Sequence, residues 1–349
     1  MPKKITVYPI YGVAGFGDDE IFDSSVLPFH IVPDVTVEDV SPMFNEQTFS
    51  WVKKEMGRRD VEILEAVHYA IVHRYGTDDF FTRSDAEVKS EQHVRYLAAC
   101  LRLIRPMRQN ASLMQGELRP DGTLDVRHFE HPLDFLGVPD VQQLFHLRNS
   151  DLPIFRDVAK EFLRATSGEF WKFRMPLEFH DRGHFEDSFW KSRYLLWCSA
   201  LEGMFTSNKR EHKGSLVAKE RIKWFLGPDT CIYEPHDIPD CFTQCTVTVS
   251  DIVDDIYKVR NIIAHGDRLP DEYFQQSTEY AMERGLRALQ VLEEGLSFIV
   301  RKSLLRILQH NLLEHFVSSS TAEVYFANAG LTRSEIQQRT KQHADKDED

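Results

Sequence analysis

The sequence predicts an α+β N-terminal domain followed by an all-α helical bundle, so that the protein is mainly α overall. Segments rich in Val, Ile and aromatic residues, broken by Gly, Pro and Asp, occur in the first part of the chain. From residue 151 onward, apolar residues recur at helical spacing and strand signals nearly vanish. We therefore expect domains over residues 1–150 and 151–317, followed by a polar C-terminal tail over residues 318–349.

The N-terminal domain combines predicted strands with predicted helices. Short strands and a hairpin that turns at residues 120–122 are expected in "KITVYPIYGVAGF", "PFHIVPDVTVEDV" and "MQGELRPDGTLDVRHFE". Apolar residues at helical spacing, ending before Gly76 and Pro106, predict helices in "RDVEILEAVHYAIVHRYG" and "SDAEVKSEQHVRYLAACLRLIRP". This mixture indicates a domain of both α and β structure.

The second domain is expected to contain about five helices. The first of them has Pro153 in its first turn, and the third ends on the capping Gly227. The segments are "DLPIFRDVAKEFLRAT", "FEDSFWKSRYLLWCSALEGMF", "LVAKERIKWFLG", "SDIVDDIYKVRNIIAHG" and the stretch "TEYAMERGLRALQVLEEGLSFIVRKSLLRILQHNLLEHF", which is long enough for one or two helices.

The helix in "SDIVDDIYKVRNIIAHG" carries the polar residues of most interest. Ser250 is a candidate N-cap, and His265 becomes the last helical residue if Gly266 adopts the left-handed conformation. Asn261 and His265 share a face, whereas Arg260 lies at the edge of the apolar stripe and can swing its guanidinium outward. The stripe consists of Ile252, Ile256, Val259 and Ile263.

This helix resembles the R-x(4–6)-H motif of the HEPN superfamily, because Arg260 and Asn261 are followed, after three residues, by His265. The likeness extends beyond the motif, since three successive segments resemble helices of the Apea-like HEPN group in order and spacing. These segments are "SRYLLWCSALEGMF", "LVAKERIKWFLG" and "IYKVRNIIAHGD". The resemblance covers residues 185–310 and implies that the second domain is an Apea-like HEPN helical bundle.

The resemblance also implies a function, because many HEPN proteins are metal-independent endoribonucleases in toxin or defence systems. It implies RNA as the partner, no cofactor, and a homodimer formed through the HEPN domain that pairs two motifs. His265 would act as general base or acid while the 2′-OH attacks the phosphate, and Arg260 would stabilise the negative charge. Asn261 would hold His265 or the phosphate. The N-terminal domain would then sense a trigger or select a substrate.

Two further residues are candidates for a supporting role in this site. Glu202 lies in the apolar segment "ALEGMF" and is expected to pair with Arg260 in a structural salt bridge, and Lys258 shares the helix face of Asn261. The alternative is a non-catalytic HEPN module that binds a nucleotide, RNA or a partner protein. In that interpretation Arg260 and His265 only cap the end of the helix.

The charge distribution restricts how RNA could be bound. A net charge of −13 argues against non-specific coating of nucleic acid, which requires an excess of Lys and Arg. A local basic run within residues 209–223 is a candidate RNA-binding patch, although such runs are usually solvated helix faces. Its members are Lys209, Arg210, Lys213, Lys219, Arg221 and Lys223.

The five cysteines form a sparse, odd-numbered set that is not typical of a disulfide framework, and no secretory signal is recognised. No run of about 18 apolar residues predicts a membrane span, and a cytoplasmic location is expected. A cluster in one segment could in principle bind zinc, but its spacing matches no compact zinc motif, so no metal is predicted. That cluster is Cys231, His236, Cys241 and Cys245.

Overall fold

The computed structural model is mainly helical, with one antiparallel sheet near the N-terminus. It divides the chain into two compact units, Met1–Arg164 and Ala165–Asp349, so the division falls later than the predicted boundary after residue 150. The residues that the structure describes are 3–10, 23–55, 57–65, 68–76, 85–105, 113–130, 147–166, 168–185, 189–206, 214–232, 247–275 and 287–347.

The first unit contains a six-stranded sheet in the order β2-β3-β4-β1-β5-β6, in which all neighbouring strands are antiparallel. The strands are β1 (Lys3–Ile10), β2 (Phe29–Val32), β3 (Val35–Asp39), β4 (Tyr69–Tyr75), β5 (Leu113–Leu118) and β6 (Leu124–Glu130). The helices are α1 (Glu46–Glu55), α2 (Arg58–Glu65), α3 (Asp85–Ile104) and α4 (Asp151–Ala165). The predicted mixture of α and β structure is confirmed, including the hairpin of β5 and β6.

The single helix predicted over "RDVEILEAVHYAIVHRYG" is wrong, because this segment forms α2 and then β4. Strand β4 lies in the centre of the sheet, hydrogen-bonded to β1 on one side and β3 on the other. Ala70, Ile71 and Val72 are fully buried, so side chains on both faces of the strand are covered. A strand buried on both faces is a continuous apolar run, which periodicity alone cannot distinguish from a buried helix.

A buried polar network joins α3 to the sheet of the first unit. The Ser90 hydroxyl lies 2.7 Å from the Thr6 hydroxyl and 2.9 Å from Nδ1 of His73. The Gln115 amide donates to the Thr6 hydroxyl over 3.2 Å. The rings of His73 and His93 lie 5.1 Å apart between centroids. These polar contacts fix the position of α3 on β1 and β4 more specifically than apolar packing alone would.

Burial disfavours the charged form of both imidazoles of this network. Burial, and then the neighbouring His93, lowers the pKa of His73 to about 4, against a smaller opposite effect of Asp34. Burial also lowers the pKa of His93. Two protonated rings at this distance would repel each other, so protonation of both would weaken the packing of α3 on the sheet.

The regular secondary structure in the described part of the second unit is helical, apart from an isolated β-bridge between Cys231 and Thr248. Short 3-10 helices also occur, at Asp271–Phe274 and Leu313–Phe316. The α-helices are α5 (Trp171–Phe185), α6 (Trp190–Phe205), α7 (Gly214–Leu226), α8 (Val249–His265), α9 (Ala288–Gln309), α10 (Ser319–Asn328) and α11 (Arg333–Asp347). Helix α5 was not anticipated from the sequence.

Close packing of α5 on α6 explains the glycine inside α5. A Cβ atom on Gly183 would lie only 2.4 Å from the indole nitrogen of Trp197. That same indole N–H donates to the carbonyl of His180 over 3.2 Å. The His180 side chain is fully buried. Only glycine therefore lets α6 approach close enough for this contact, which positions α6 and its residue Glu202.

The segment expected to be a polar tail, residues 318–349, contains α10 and α11 and belongs to the second unit. Phe326 is fully buried and contacts the rings of Phe205 and Phe316. Leu331 and Ile336 are also buried. Phe326, Leu331 and Ile336 therefore reach the core although the segment is polar in composition, whereas Val324 is 60% exposed.

We expect the first unit to lose stability as the pH falls from about 6.5 towards 4. The folded-state pKa of His73 lies below the ordinary value of 6.5, so the unfolded chain binds more protons in this window. The stabilisation is complete above about pH 6.5 and is lost progressively towards the folded-state pKa. Thermal unfolding measured by circular dichroism between pH 7.5 and 4.5 should show this loss.

The variant His73→Asn should weaken that pH dependence, whereas His310→Asn, at an exposed position of the second unit, should leave it unchanged. Equal pH profiles for the wild type and His73→Asn would contradict the assignment to this network.

Candidate functional site

Helix α8 has well-defined ends. Its N-cap is Thr248, not the predicted Ser250: the Thr248 hydroxyl accepts from the Asp251 N–H, while the Asp251 carboxylate accepts from the Thr248 N–H over 2.7 Å. This reciprocal pair is a capping box. At the other end, Gly266 has a φ of 76° and donates its N–H to the carbonyls of Ile262 and Ile263. The prediction that His265 is the last helical residue is therefore confirmed.

The apolar stripe of α8 packs against α6, α7 and α9. Ile252, Ile256 and Val259 are fully buried, as predicted, and Ile263 is partly exposed. A Cβ atom on Gly295 of α9 would lie 2.1 Å from the Ile252 side chain, so this glycine allows the close approach of the two helices. The packing fixes the rotation of α8 and with it the directions of its polar side chains.

The predicted pairing of Arg260 with Glu202 is confirmed. One terminal nitrogen of the guanidinium lies 3.1 Å from a carboxylate oxygen of Glu202 on α6. The other donates over 3.1 Å to the side-chain oxygen of Asn261. The side chains of Arg260 and Glu202 are 32% and 30% exposed, so the ion pair lies at the rim of the bundle. Such a pair orients the guanidinium but contributes only about 1 kcal/mol or less to stability.

Cys198 and Tyr257 lie buried close to this ion pair. Burial raises the pKa of the Cys198 thiol, an effect to which Glu202 adds and which Arg260 opposes. Burial likewise raises the pKa of Tyr257 well above its ordinary value. Among the described residues, the Tyr257 hydroxyl has no hydrogen-bond partner. Because both groups stay neutral and inaccessible, neither is suited to act as a nucleophile.

The other predicted site residues of α8 face solvent. Asn261 and His265 are exposed, and the His265 ring makes no hydrogen bond or ion pair with the part of the chain that the structure describes. Lys258 is exposed and pairs with Asp255 over 2.7 Å, so it is directed away from Arg260. The structure thus joins Glu202, Arg260 and Asn261 by direct contacts, and leaves His265 accessible one turn further along the helix.

An open cleft of about 680 Å³ lies at the C-terminal end of α8, and sequence reasoning missed it. It is bounded by the start of α6 on one side and by the segment after α8 on the other. The lining residues are Trp190, Lys191, Gly266, Asp267, Arg268, Leu269, Asp271, Phe274 and Gln275. The signal in the sequence was the adjacent aromatic pair Phe189 and Trp190 at the start of α6, of which Trp190 lines the cleft.

Arg221 does not belong to a surface patch, which corrects its assignment as an RNA-binding candidate. Its side chain is 1% exposed. Both terminal nitrogens bind the carboxylate of Glu323 over 2.7 Å, and the guanidinium also donates to the carbonyls of Phe205 and Leu331. Its carbon lies 4.6 Å from the Phe326 ring centroid. Arg221 therefore connects α7 to α6, α10 and the segment that precedes α11.

The remaining described part of the basic run is already paired. Lys219 and Lys223 both bind the carboxylate of Asp254 on α8, over 2.5 and 3.0 Å, and their side chains are 22% exposed. Lys209, Arg210 and Lys213 lie outside the described residues. The run thus serves mainly to connect α7 with its neighbours in the part of the chain that the structure describes.

The cysteine-rich segment gives no support for a metal site. Cys231 is disulfide-bonded, which departs from the expected absence of disulfides and removes its thiolate as a zinc ligand. His236, Cys241 and Cys245 lie outside the described residues. Within the described ranges, no group of three or more His, Cys, Asp or Glu side chains is arranged to hold a metal ion.

Comparison with known proteins adds no relative. No protein-family model, no curated protein and no solved structure matches this chain. Among the helices described, none combines the length and the apolar character needed to cross a membrane.

We expect Arg221→Met to destabilise the second unit by about 3 kcal/mol or more, because it leaves buried carbonyls and a carboxylate without their donor. Lys223→Met should cost about 1 kcal/mol or less, since its ion pair is partly exposed. Urea denaturation followed by circular dichroism measures both changes. Similar midpoints for the two variants would show that Arg221 is not a structural cross-link.

Proposed function

We propose that this protein is a HEPN endoribonuclease that cleaves RNA by metal-independent attack of the ribose 2′-OH on the adjacent phosphate. The proposed site is Arg260, Asn261 and His265 at the C-terminal end of α8, within an Apea-like HEPN bundle. The observation that carries the proposal is that His265 is exposed at the end of α8, one turn beyond an Arg260 whose guanidinium is already oriented. A toxin or defence role, with the N-terminal unit as sensor, follows from the same resemblance.

The proposed step is a transesterification. The 2′-oxygen forms a bond to phosphorus as its proton passes to a base, and the bond from phosphorus to the 5′-oxygen breaks. The 5′-oxygen takes up a proton, which leaves a 2′,3′-cyclic phosphate and a free 5′-hydroxyl. The imidazole of His265 can serve as this base or acid, because a histidine ring can accept a proton on one nitrogen and donate one from the other.

Arg260 would stabilise the negative charge that develops on the phosphate oxygens. A guanidinium has five N–H donors, and the contacts with Glu202 and Asn261 occupy only part of them. The remaining donors can bind phosphate while Glu202 holds the planar group in a fixed orientation. Glu202 is thus a positioning residue that supports Arg260.

A single histidine cannot easily act as both acid and base in one step, so the proposal includes a homodimer. Two copies of α8 related by a two-fold axis would bring two His265 side chains to one phosphate. The exposure of Asn261 and His265 leaves room for such an arrangement.

The second candidate function is a non-catalytic HEPN module that binds a nucleotide, RNA or a partner protein. The Glu202–Arg260 ion pair favours it, because this contact gives Arg260 a partner within the chain without any substrate. In this case Arg260 and His265 would have structural roles at the end of α8. Cleavage assays on variants of these residues separate the two functions.

We expect His265→Ala and Arg260→Ala each to reduce RNA cleavage by about 100-fold or more, as for a general acid–base or charge-stabilising group. Arg260→Lys should restore little activity, because an ammonium cannot reproduce the planar donor fork. Gel analysis of a labelled single-stranded RNA measures the rates. The exposed His310→Ala is the matched control and should cleave like the wild type.

DNA and 2′-O-methyl RNA of the same sequence should be inert, because neither carries the attacking 2′-OH. EDTA should not reduce the rate, and the products should end in a 2′,3′-cyclic phosphate. A folded His265→Ala variant that cleaves RNA at the wild-type rate would refute the assignment.

We expect the protein to form dimers at micromolar concentration, detected by analytical ultracentrifugation. A mixture of His265→Ala and Arg260→Ala chains should recover no more than part of the wild-type activity, because each mixed dimer keeps one Arg260 and one His265, contributed by different chains. A chain that sediments as a monomer at high micromolar concentration, yet cleaves RNA, would exclude the composite site.

A further inference from the structure

The cleft beyond α8 has the lining expected of a nucleobase site. Its volume of about 680 Å³ lies within the usual range for small-ligand sites. Trp190 and Phe274 supply aromatic surface, and Phe274 is 43% exposed. Lys191 and Arg268 supply cationic groups at the same opening. Aromatic rings beside cations are the combination that binds the bases and the backbone of single-stranded nucleic acids.

We propose that this cleft binds one unpaired nucleobase of an RNA strand, beside the phosphate on which Arg260 and His265 act. The inference rests on the proposed function and assigns that site its substrate class, a single-stranded rather than duplex RNA. Gly266 lines the cleft and directly follows His265 in the chain, so a base in the cleft places its own sugar and phosphate near the imidazole.

The charges of the cleft favour a base over a simple anion. Lys191 and Arg268 are matched by two carboxylates, Asp267 and Asp271, and Arg268 pairs with Asp271 over 2.9 Å. A lining that is neutral overall is poorly suited to concentrate free phosphate. The carboxylates can instead accept hydrogen bonds from the amino and imino groups of a base.

Stacking would supply most of the affinity for this base. The Lys191 ammonium lies 5.8 Å from the centroid of the Trp190 ring, so a positive charge lies next to the surface on which the base would stack. A base inside a duplex is covered by its neighbours and cannot stack on Trp190 or Phe274, so the base must be unpaired. The site therefore selects loops, bulges or single strands.

Binding can be tested separately from cleavage, with a fluorescein-labelled, mixed-sequence 2′-O-methyl octanucleotide that cannot be cut. We expect Trp190→Ala and Phe274→Ala each to weaken its affinity roughly 10-fold or more by fluorescence anisotropy. Trp190→Phe should retain most of the affinity, which distinguishes lost stacking from a misfolded chain. The control is Trp171→Ala, since Trp171 is 56% exposed but does not line the cleft. The annealed duplex should bind weakly to every variant.

The outcomes separate this inference from the proposed function. If Trp190→Ala and Trp171→Ala bind the octanucleotide equally, or if the wild type does not bind it, the nucleobase site is excluded. Binding that depends on Trp190 supports it, even where His265→Ala shows that the protein does not cleave RNA. RNA cleavage that depends on His265 but not on Trp190 or Phe274 would support the proposed nuclease function and exclude the cleft as its nucleobase site.

Discussion

The packing of α8 against α6, α7 and α9 is the constraint on which the candidate site depends. Burial of Ile252, Ile256 and Val259 leaves the helix no freedom to rotate, and Gly295 brings α9 close enough to complete that burial. Arg260 must then lie at the rim facing Glu202, while His265 must face solvent. The proposed chemistry of the site therefore depends on the fixed orientation of α8 about its own axis.

The cationic side chains of the second unit serve two different purposes. Arg221, Lys219 and Lys223 connect α7 to the surrounding helices through carboxylates and carbonyls. Lys191 and Arg268 instead lie at the opening of the cleft. In a chain with a net charge of −13, RNA recognition through such a cleft would depend on stacking more than on phosphate neutralisation.

The sequence misled wherever composition or periodicity was a poor guide to burial. The apolar run around Ile71 satisfies a helical pattern, but the segment forms a strand that pairs with β1 on one side and β3 on the other, and both of its faces are buried. Residues 318–349 are polar in composition, yet Phe326 and Ile336 are buried in the core of the second unit. In both cases the structure is decided by packing partners that lie far away in the sequence. A local sequence pattern carries no information about such partners.

Local sequence signals were sufficient to predict where α8 ends and which of its faces is buried. They also placed Arg260, Asn261 and His265 at the end of this helix. They could do so because a left-handed glycine and a 3.6-residue period act within one or two turns. Only the tertiary structure decided that Arg221 is buried and that a cleft joins Trp190 to Phe274. These features depend on which distant segments of the chain pack together. An arginine or an aromatic residue occurs both at the surface and in the interior of proteins, so residue type alone does not decide its burial.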